Sequence, residues 1–236
     1  MVFSAKNKPI PEFEPLTINN QAITITNSEK YLGLVLDCRL TWKPHIEKVR
    51  SKLSSLMAAL RGTVRCFPKS VRYTIYNSLV KSHLDYLIEV WGCAAKTNVK
   101  TLQIAQNKII KLLFHYNYLT PTMTVYKQTK LMTFRQMYKY NTCLLIRKIL
   151  NKNIHTQINF TKKSQIQKRL LRRANDLYLQ TPRTTTYGQK NILYEGAHIY
   201  NKLPNDIKEI QSFPLFKKTL KHHILSDFAE FVDCAG

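Results

Sequence analysis

The chain has 236 residues, 44% of them hydrophobic and 11% aromatic, enough for one large domain or two small ones with a packed core. That composition argues against wholesale disorder. Thirty-seven Lys and Arg against 14 Asp and Glu leave a formal charge of +23, and a folded chain so charged repels itself unless a polyanion neutralises it. Nucleic acid is the natural candidate, because each phosphate contact by Lys or Arg also releases a condensed counterion.

The charge is unevenly placed. Between Glu89 and Asp176 there is no carboxylate, while 17 basic residues fall there, from Lys96 to Arg173. A solvated, salt-bridged surface would mix the signs. Drift toward Lys in an A/T-biased coding sequence is the plain alternative, and nucleic-acid contact is the better account. The five cysteines are odd in number and widely spaced, with no Cys-x-x-Cys pair. This argues against a disulfide framework or a zinc ribbon, fits a reducing compartment, and makes most of them small core residues. No apolar run approaches a membrane span, and the first residues lack the core of a signal peptide. The expected location is therefore intracellular, nuclear or cytoplasmic, with no membrane partner.

In chain order, Met1–Ser4 is β-like and the following proline-containing stretch is a loop. Leu16, Ile18, Ala22, Ile23 and Ile25 alternate around Asn19-Asn20, which predicts a hairpin turn. Tyr31–Leu36 reads as one apolar strand interrupted at Gly33, a point of bending or close approach. Met1 to about Asp37 is thus a β unit of two to four strands. The rest is helical. Thr41 can cap a helix with Pro44 in its first turn, whose apolar stripe is Ile46, Val49, Leu53, Leu56 and Leu60, with Gly62 as its stop. Lys43, Lys48, Arg50 and Lys52 fall off that stripe.

Pro68 opens a second helix through Val71, Ile75 and Leu79 to Trp91, closed by Gly92. Asn98 caps a third, carrying Val99, Leu102, Ile109, Leu112 and Leu113. Thr133 with Gln136 has the form of a capping box for a helix through Met137, Leu144 and Ile149. Residues 151–186 are polar and basic, a linker with a helix near Lys162 to Leu179. Ser212 begins a last helix with Leu215, Leu220 and Ile224.

Catalytic chemistry is poorly supported. Two-metal phosphoryl transfer needs converging carboxylates, and the chain has no two adjacent acidic residues. Asp37 alone reads as a strand-end residue that caps its own backbone. Isolated glycines exclude a phosphate loop. The histidines show no ligand spacing, and each reads as a satisfied or solvated side chain. Binding is better supported: cations alternate with Phe114, His115, Tyr116, Tyr118, Tyr126, Tyr138 and Tyr140, and aromatic faces stack on bases while cations hold phosphates. For most of these aromatics a place in a helix core is the better account. Tyr138 and Tyr140 cannot both face one core.

Lys30-Tyr31-Leu32-Gly33-Leu34-Val35-Leu36-Asp37, followed by Leu40-Thr41-Trp42-Lys43-Pro44-His45-Ile46, resembles the segment after the polymerase active site in reverse transcriptases of jockey-like non-LTR retrotransposons. Ile75–Tyr86 with Val90-Trp91-Gly92, then Leu102–Lys111, then Gly196–Pro204 and Phe213–Leu220, resemble later segments of that family in the same order. Leu87 stands where the family usually has Gly, and Tyr200 where Trp is usual; both read as packing changes.

The resemblance implies a mainly α fold: a small N-terminal β-hairpin unit, then a helical thumb bundle and a helical C-terminal region. Residues 1–40 would be palm-end strands with a primer-grip-like turn at Tyr31, Leu32 and Gly33. Residues 41–150 would be the thumb, 151–190 a basic linker and 191–236 a C-terminal helical segment. Lys43, Lys48, Arg50 and Lys52 would hold the backbone of a template–primer duplex. The chain is then expected to be a fragment of an RNA-directed DNA polymerase that lacks the catalytic aspartates and does not polymerise alone. It carries no cofactor itself, and Mg2+ is expected for the full-length enzyme. Expected partners are an RNA template, RNA–DNA or DNA duplex, and the upstream palm and fingers. The alternatives are a non-enzymatic basic helical module for nucleic acid and a helical scaffold for an acidic protein.

Overall fold

The computed structural model of the protein describes residues 1–5, 8, 14, 16–166, 176–179, 181–182, 184 and 187–227. Two small antiparallel two-stranded sheets near the N-terminus are followed by a helical region, so the architecture is mainly α. The chain forms two compact units, residues 1–80 with 94–115 and residues 81–93 with 116–236.

In the first unit, β1 (Thr17–Ile18) pairs with β2 (Gln21–Ala22) across Asn19 and Asn20. Both asparagines have positive φ, 50° and 62°, which a tight hairpin requires and Asn tolerates. The alternating residues do not make a core, since Leu16, Ile18, Ile23 and Ile25 are all exposed. Met1–Ser4 forms no strand; Ser4 N–H donates to Cys38 O at 3.0 Å. Nor is Tyr31–Leu36 one strand. β3 (Ser28–Tyr31) turns back into β4 (Leu34–Asp37) through Leu32 and Gly33. Gly33 takes φ 83°, which reverses the chain where an L side chain would be strained.

Helix α1 (Lys43–Leu60) has Pro44 in its first turn, but Thr41 does not cap it. Trp42 stands before the helix at φ 63°, because Asp37 has captured the preceding turn. Ile46, Val49, Leu53 and Leu60 are buried as the stripe predicts, with Leu56 half-buried. The helix ends before Gly62, which does not adopt the left-handed stop conformation.

The expected continuous helix from Pro68 to Trp91 is broken. α2 (Lys69–Ile75) passes into a π-helical stretch, Tyr76–Lys81, and then α3 (Ser82–Asp85). Leu87 then enters the left-handed region before α4 (Ile88–Trp91). The wider π turn rotates the buried face, so Tyr76, Val80 and Leu84 are buried while Val71 and Leu79 are exposed. α5 (Lys96–Leu113) begins ahead of Asn98, with Ala95 as its extended first flank, so Asn98 lies inside the first turn. α5 packs on α1, and Gln106 Nε2 donates to Tyr76 Oη at 2.8 Å within this core.

In the second unit, α6 (Thr122–Thr129) precedes α7 (Phe134–Leu150), which packs against α4, α9 (Ala197–Asn201) and α11 (Phe213–Ser226). The capping box at Thr133 and Gln136 is formed in both directions. Tyr138 is buried and Tyr140 half-buried. Gly92 matters for approach: a Cβ there would lie 2.4 Å from Tyr138 Cδ2. A short helix α8 (Lys163–Ile166) precedes α9, and α10 (Asn205–Glu209) follows it. The rest of the helix expected near Lys162 to Leu179 falls largely outside the described residues. α11 starts after Ser212 as expected, without a side-chain cap bond.

Asn201 holds Leu177 at both backbone groups, accepting from its N–H at 2.8 Å and donating to its O at 2.9 Å. Arg147, buried, donates to Lys208 O at 2.9 Å, to Ile210 O and to Tyr200 Oη, and lies over the Phe216 ring. Of the cysteines only Cys143 is a core residue; Cys38 and Cys93 are half-buried, Cys66 is exposed, and Cys234 lies outside the described residues.

Candidate nucleic-acid interface

The hairpin β3–β4 is joined to α1 by a short, fully determined link in the first unit. Asp37 ends β4, and its carboxylate accepts Thr41 N–H at 2.9 Å, the Thr41 hydroxyl at 3.0 Å and Trp42 N–H at 2.9 Å. Those bonds hold Leu40 and Trp42 at positive φ, 47° and 63°, conformations that side chains of this size rarely adopt unless surroundings impose them. A second tie comes from the helix: Val35 N–H donates to His45 Nδ1 at 3.3 Å. Burial, then the nearby Lys48 and Lys52, lowers the His45 pKa to about 4, so the ring is neutral near pH 7 and can accept. Asp37 is the local backbone cap its sequence suggested, and His45 is a buried histidine whose Nδ1 ties α1 to β4.

The turn so fixed projects outward. Tyr31 and Leu32 are 64% and 67% exposed, while Leu34 behind them is buried. The four basic residues of α1 do not share one face. At 100° per residue, Lys48 and Lys52 stand one above the other on one flank of the buried stripe, and Lys43 and Arg50 fall on the opposite flank. Lys43 Nζ lies 4.0 Å from Glu47 on the helix surface, an exposed pair of little energetic weight.

On the Arg50 flank the structure adds residues that the sequence did not single out. Thr101, Ile104 and Lys108 of α5 line an open groove with Arg50, Ser54 and Met57 of α1. Helix pairing decides this placement, and a single sequence carries no signal for it. Among the expected stacking aromatics, Tyr126 and Tyr138 are buried, Phe114, Tyr116 and Tyr140 half-buried, and Tyr118 is 73% exposed.

Among the described residues no three His, Cys, Asp or Glu side chains stand close enough to hold a metal ion. No described helix is long and apolar enough to cross a membrane.

Three curated proteins illustrate what the chain is similar to. A probable RNA-directed DNA polymerase from transposon X-element of Drosophila melanogaster is 27% identical over 187 residues, which cover 77% of this chain and 20% of that protein. A probable RNA-directed DNA polymerase from transposon BS of the same species is 25% identical over 135 residues, 56% of this chain and 15% of its own length. The RNA-directed DNA polymerase from mobile element jockey of Drosophila funebris is 28% identical over 99 residues, 41% and 11%. The match thus spans about a fifth of the first relative and less of the others. No family model matches the chain, and no solved structure matches it. The curated homologues agree with the resemblance found in the sequence: the chain is similar to part of the RNA-directed DNA polymerases of these Drosophila transposons and of the mobile element jockey.

Proposed function

We propose that the chain is a template–primer-binding part of a reverse transcriptase, gripping a primed duplex by its phosphates for an active centre carried elsewhere in a longer protein. The observation that supports this most is the rigid tie of an exposed turn, Tyr31-Leu32-Gly33, to a basic helix through Asp37 and His45. In this reading the turn sets a primer end. Lys48 and Lys52 hold backbone oxygens on one flank of α1, and Lys43 and Arg50 do so on the other. Such contacts read shape and charge rather than base sequence. The partners are an RNA template, RNA–DNA or DNA duplex, and the palm and fingers of the longer enzyme. Magnesium belongs to that palm, since this chain has no adjacent acidic pair.

The test is binding of the full chain to a primed RNA template across a salt series, with a primer-extension assay in magnesium. Affinity is expected to fall steeply with salt, and K48A/K52A to lower the log–log slope by roughly 0.7 to 0.9 for each phosphate contact removed. No extension is expected. Salt-independent binding, or processive synthesis by these 236 residues alone, overturns the proposal.

A further inference from the structure

The groove between α1 and α5 has a chemistry more specific than positive charge. Its cavity of about 110 Å³ has Arg50 on one rim and Lys108 on the other, with Leu53 and Ile109 beneath and Ile104 alongside. Leu53 and Ile109 are buried, whereas Ile104 is 45% exposed. No carboxylate lines it. Thr101 stands on the same wall, and its hydroxyl donates to Asn98 O at 2.7 Å. With that hydrogen committed, Thr101 Oγ1 offers the groove only lone pairs. A phosphate oxygen placed there would be repelled; a ligand hydroxyl would be bound.

The fitting ligand is therefore anionic at its two ends, apolar across its middle, and supplied with a hydroxyl donor. A ribose between two phosphates has this pattern, and its 2′-OH is the group that distinguishes RNA from DNA at a contact. An acidic peptide could satisfy both rims but has no reason to bring a hydroxyl to Thr101.

We infer that this groove holds the ribose–phosphate backbone of an RNA strand, with Arg50 and Lys108 on flanking phosphates and Thr101 accepting from a 2′-OH. The inference rests on the nucleic-acid reading above and adds α5 and a strand preference to it. The test compares the full chain on an RNA–DNA hybrid and a DNA duplex of one sequence, with folding of each variant checked by circular dichroism.

The unsubstituted protein is expected to prefer the hybrid. T101V lowers the hybrid-to-DNA affinity ratio about fivefold, the loss of one hydrogen bond, and T101S, which keeps the hydroxyl, preserves it. R50A/K108A weakens binding to both and reduces the salt slope by about 2. A ratio unmoved by T101V in a protein that still binds with steep salt dependence overturns the groove alone. Displacement of the hybrid by oligoglutamate at matched charge also overturns it. Absence of binding to either duplex overturns the groove together with the reading beneath it.

Discussion

Leu87 sits at φ 50° and ψ 33°, in the left-handed region, between α3 and α4. An L residue there costs about 1–2 kcal/mol relative to a right-handed conformation, a cost glycine avoids. The leucine thus carries a backbone cost at this place, whereas the sequence suggested only a packing change. L87G should stabilise the second unit by roughly 1 kcal/mol, since the greater freedom of glycine in the unfolded chain offsets part of the relief. A rise in the urea midpoint checks this, and a fall would show that the contacts of the exposed leucine side chain contribute more than the turn costs. Tyr200 is a different case. Its Oη accepts from buried Arg147 Nη1 at 3.4 Å, which an indole N–H, a donor only, cannot do. The tyrosine supplies Arg147 with an acceptor beside two backbone carbonyls.

At the scale of elements, what was legible in the sequence is what is local. Thr133 and Gln136 are three residues apart and make their capping box without help from elsewhere. Asn19-Asn20 turns a hairpin because both side chains tolerate positive φ. The break at Leu87, the π turn at Tyr76–Lys81 and the Arg50–Lys108 groove were not legible, because none carries a glycine, proline or spacing signal. Tertiary packing decides them. The joint between β4 and α1 lies between these cases: Asp37 was readable as a cap, but its capture of Thr41 and Trp42 displaced the helix start.

That joint should be acid-sensitive. His45 is neutral in the fold, with its pKa lowered from 6.5 to about 4, chiefly by burial. A lowered histidine pKa contributes stability above the unfolded value, and this is lost as pH falls from about 6.5 toward 4. Between pH 7 and 5 the loss should be about 2 kcal/mol. H45N, whose Oδ1 can replace Nδ1 as acceptor for Val35, is expected to remove most of this pH dependence whatever it does to stability at pH 7. Denaturant titrations at the two pH values decide it. An equal acid loss in H45N would place the sensitivity elsewhere.

At the scale of the whole molecule, +23 in 236 residues makes opposite demands on stability and on binding. The carboxylate-free interval leaves its cations few opposite charges nearby in sequence. Added salt shortens the screening distance from roughly 30 Å at 0.01 M to about 8 Å at 0.15 M. It should therefore relieve self-repulsion and raise the melting temperature of the free chain. The same salt competes with phosphate contacts and weakens nucleic-acid binding. The expected result is a crossing: Tm rises with salt for the protein alone, and the Tm increment given by a bound duplex shrinks over the same range. Thermal scans with and without duplex from 0.02 to roughly 0.3 M salt measure both at once. If salt left the free chain unchanged while binding weakened, the cations would already be balanced within the fold. The charge would then be a property of the binding surface alone.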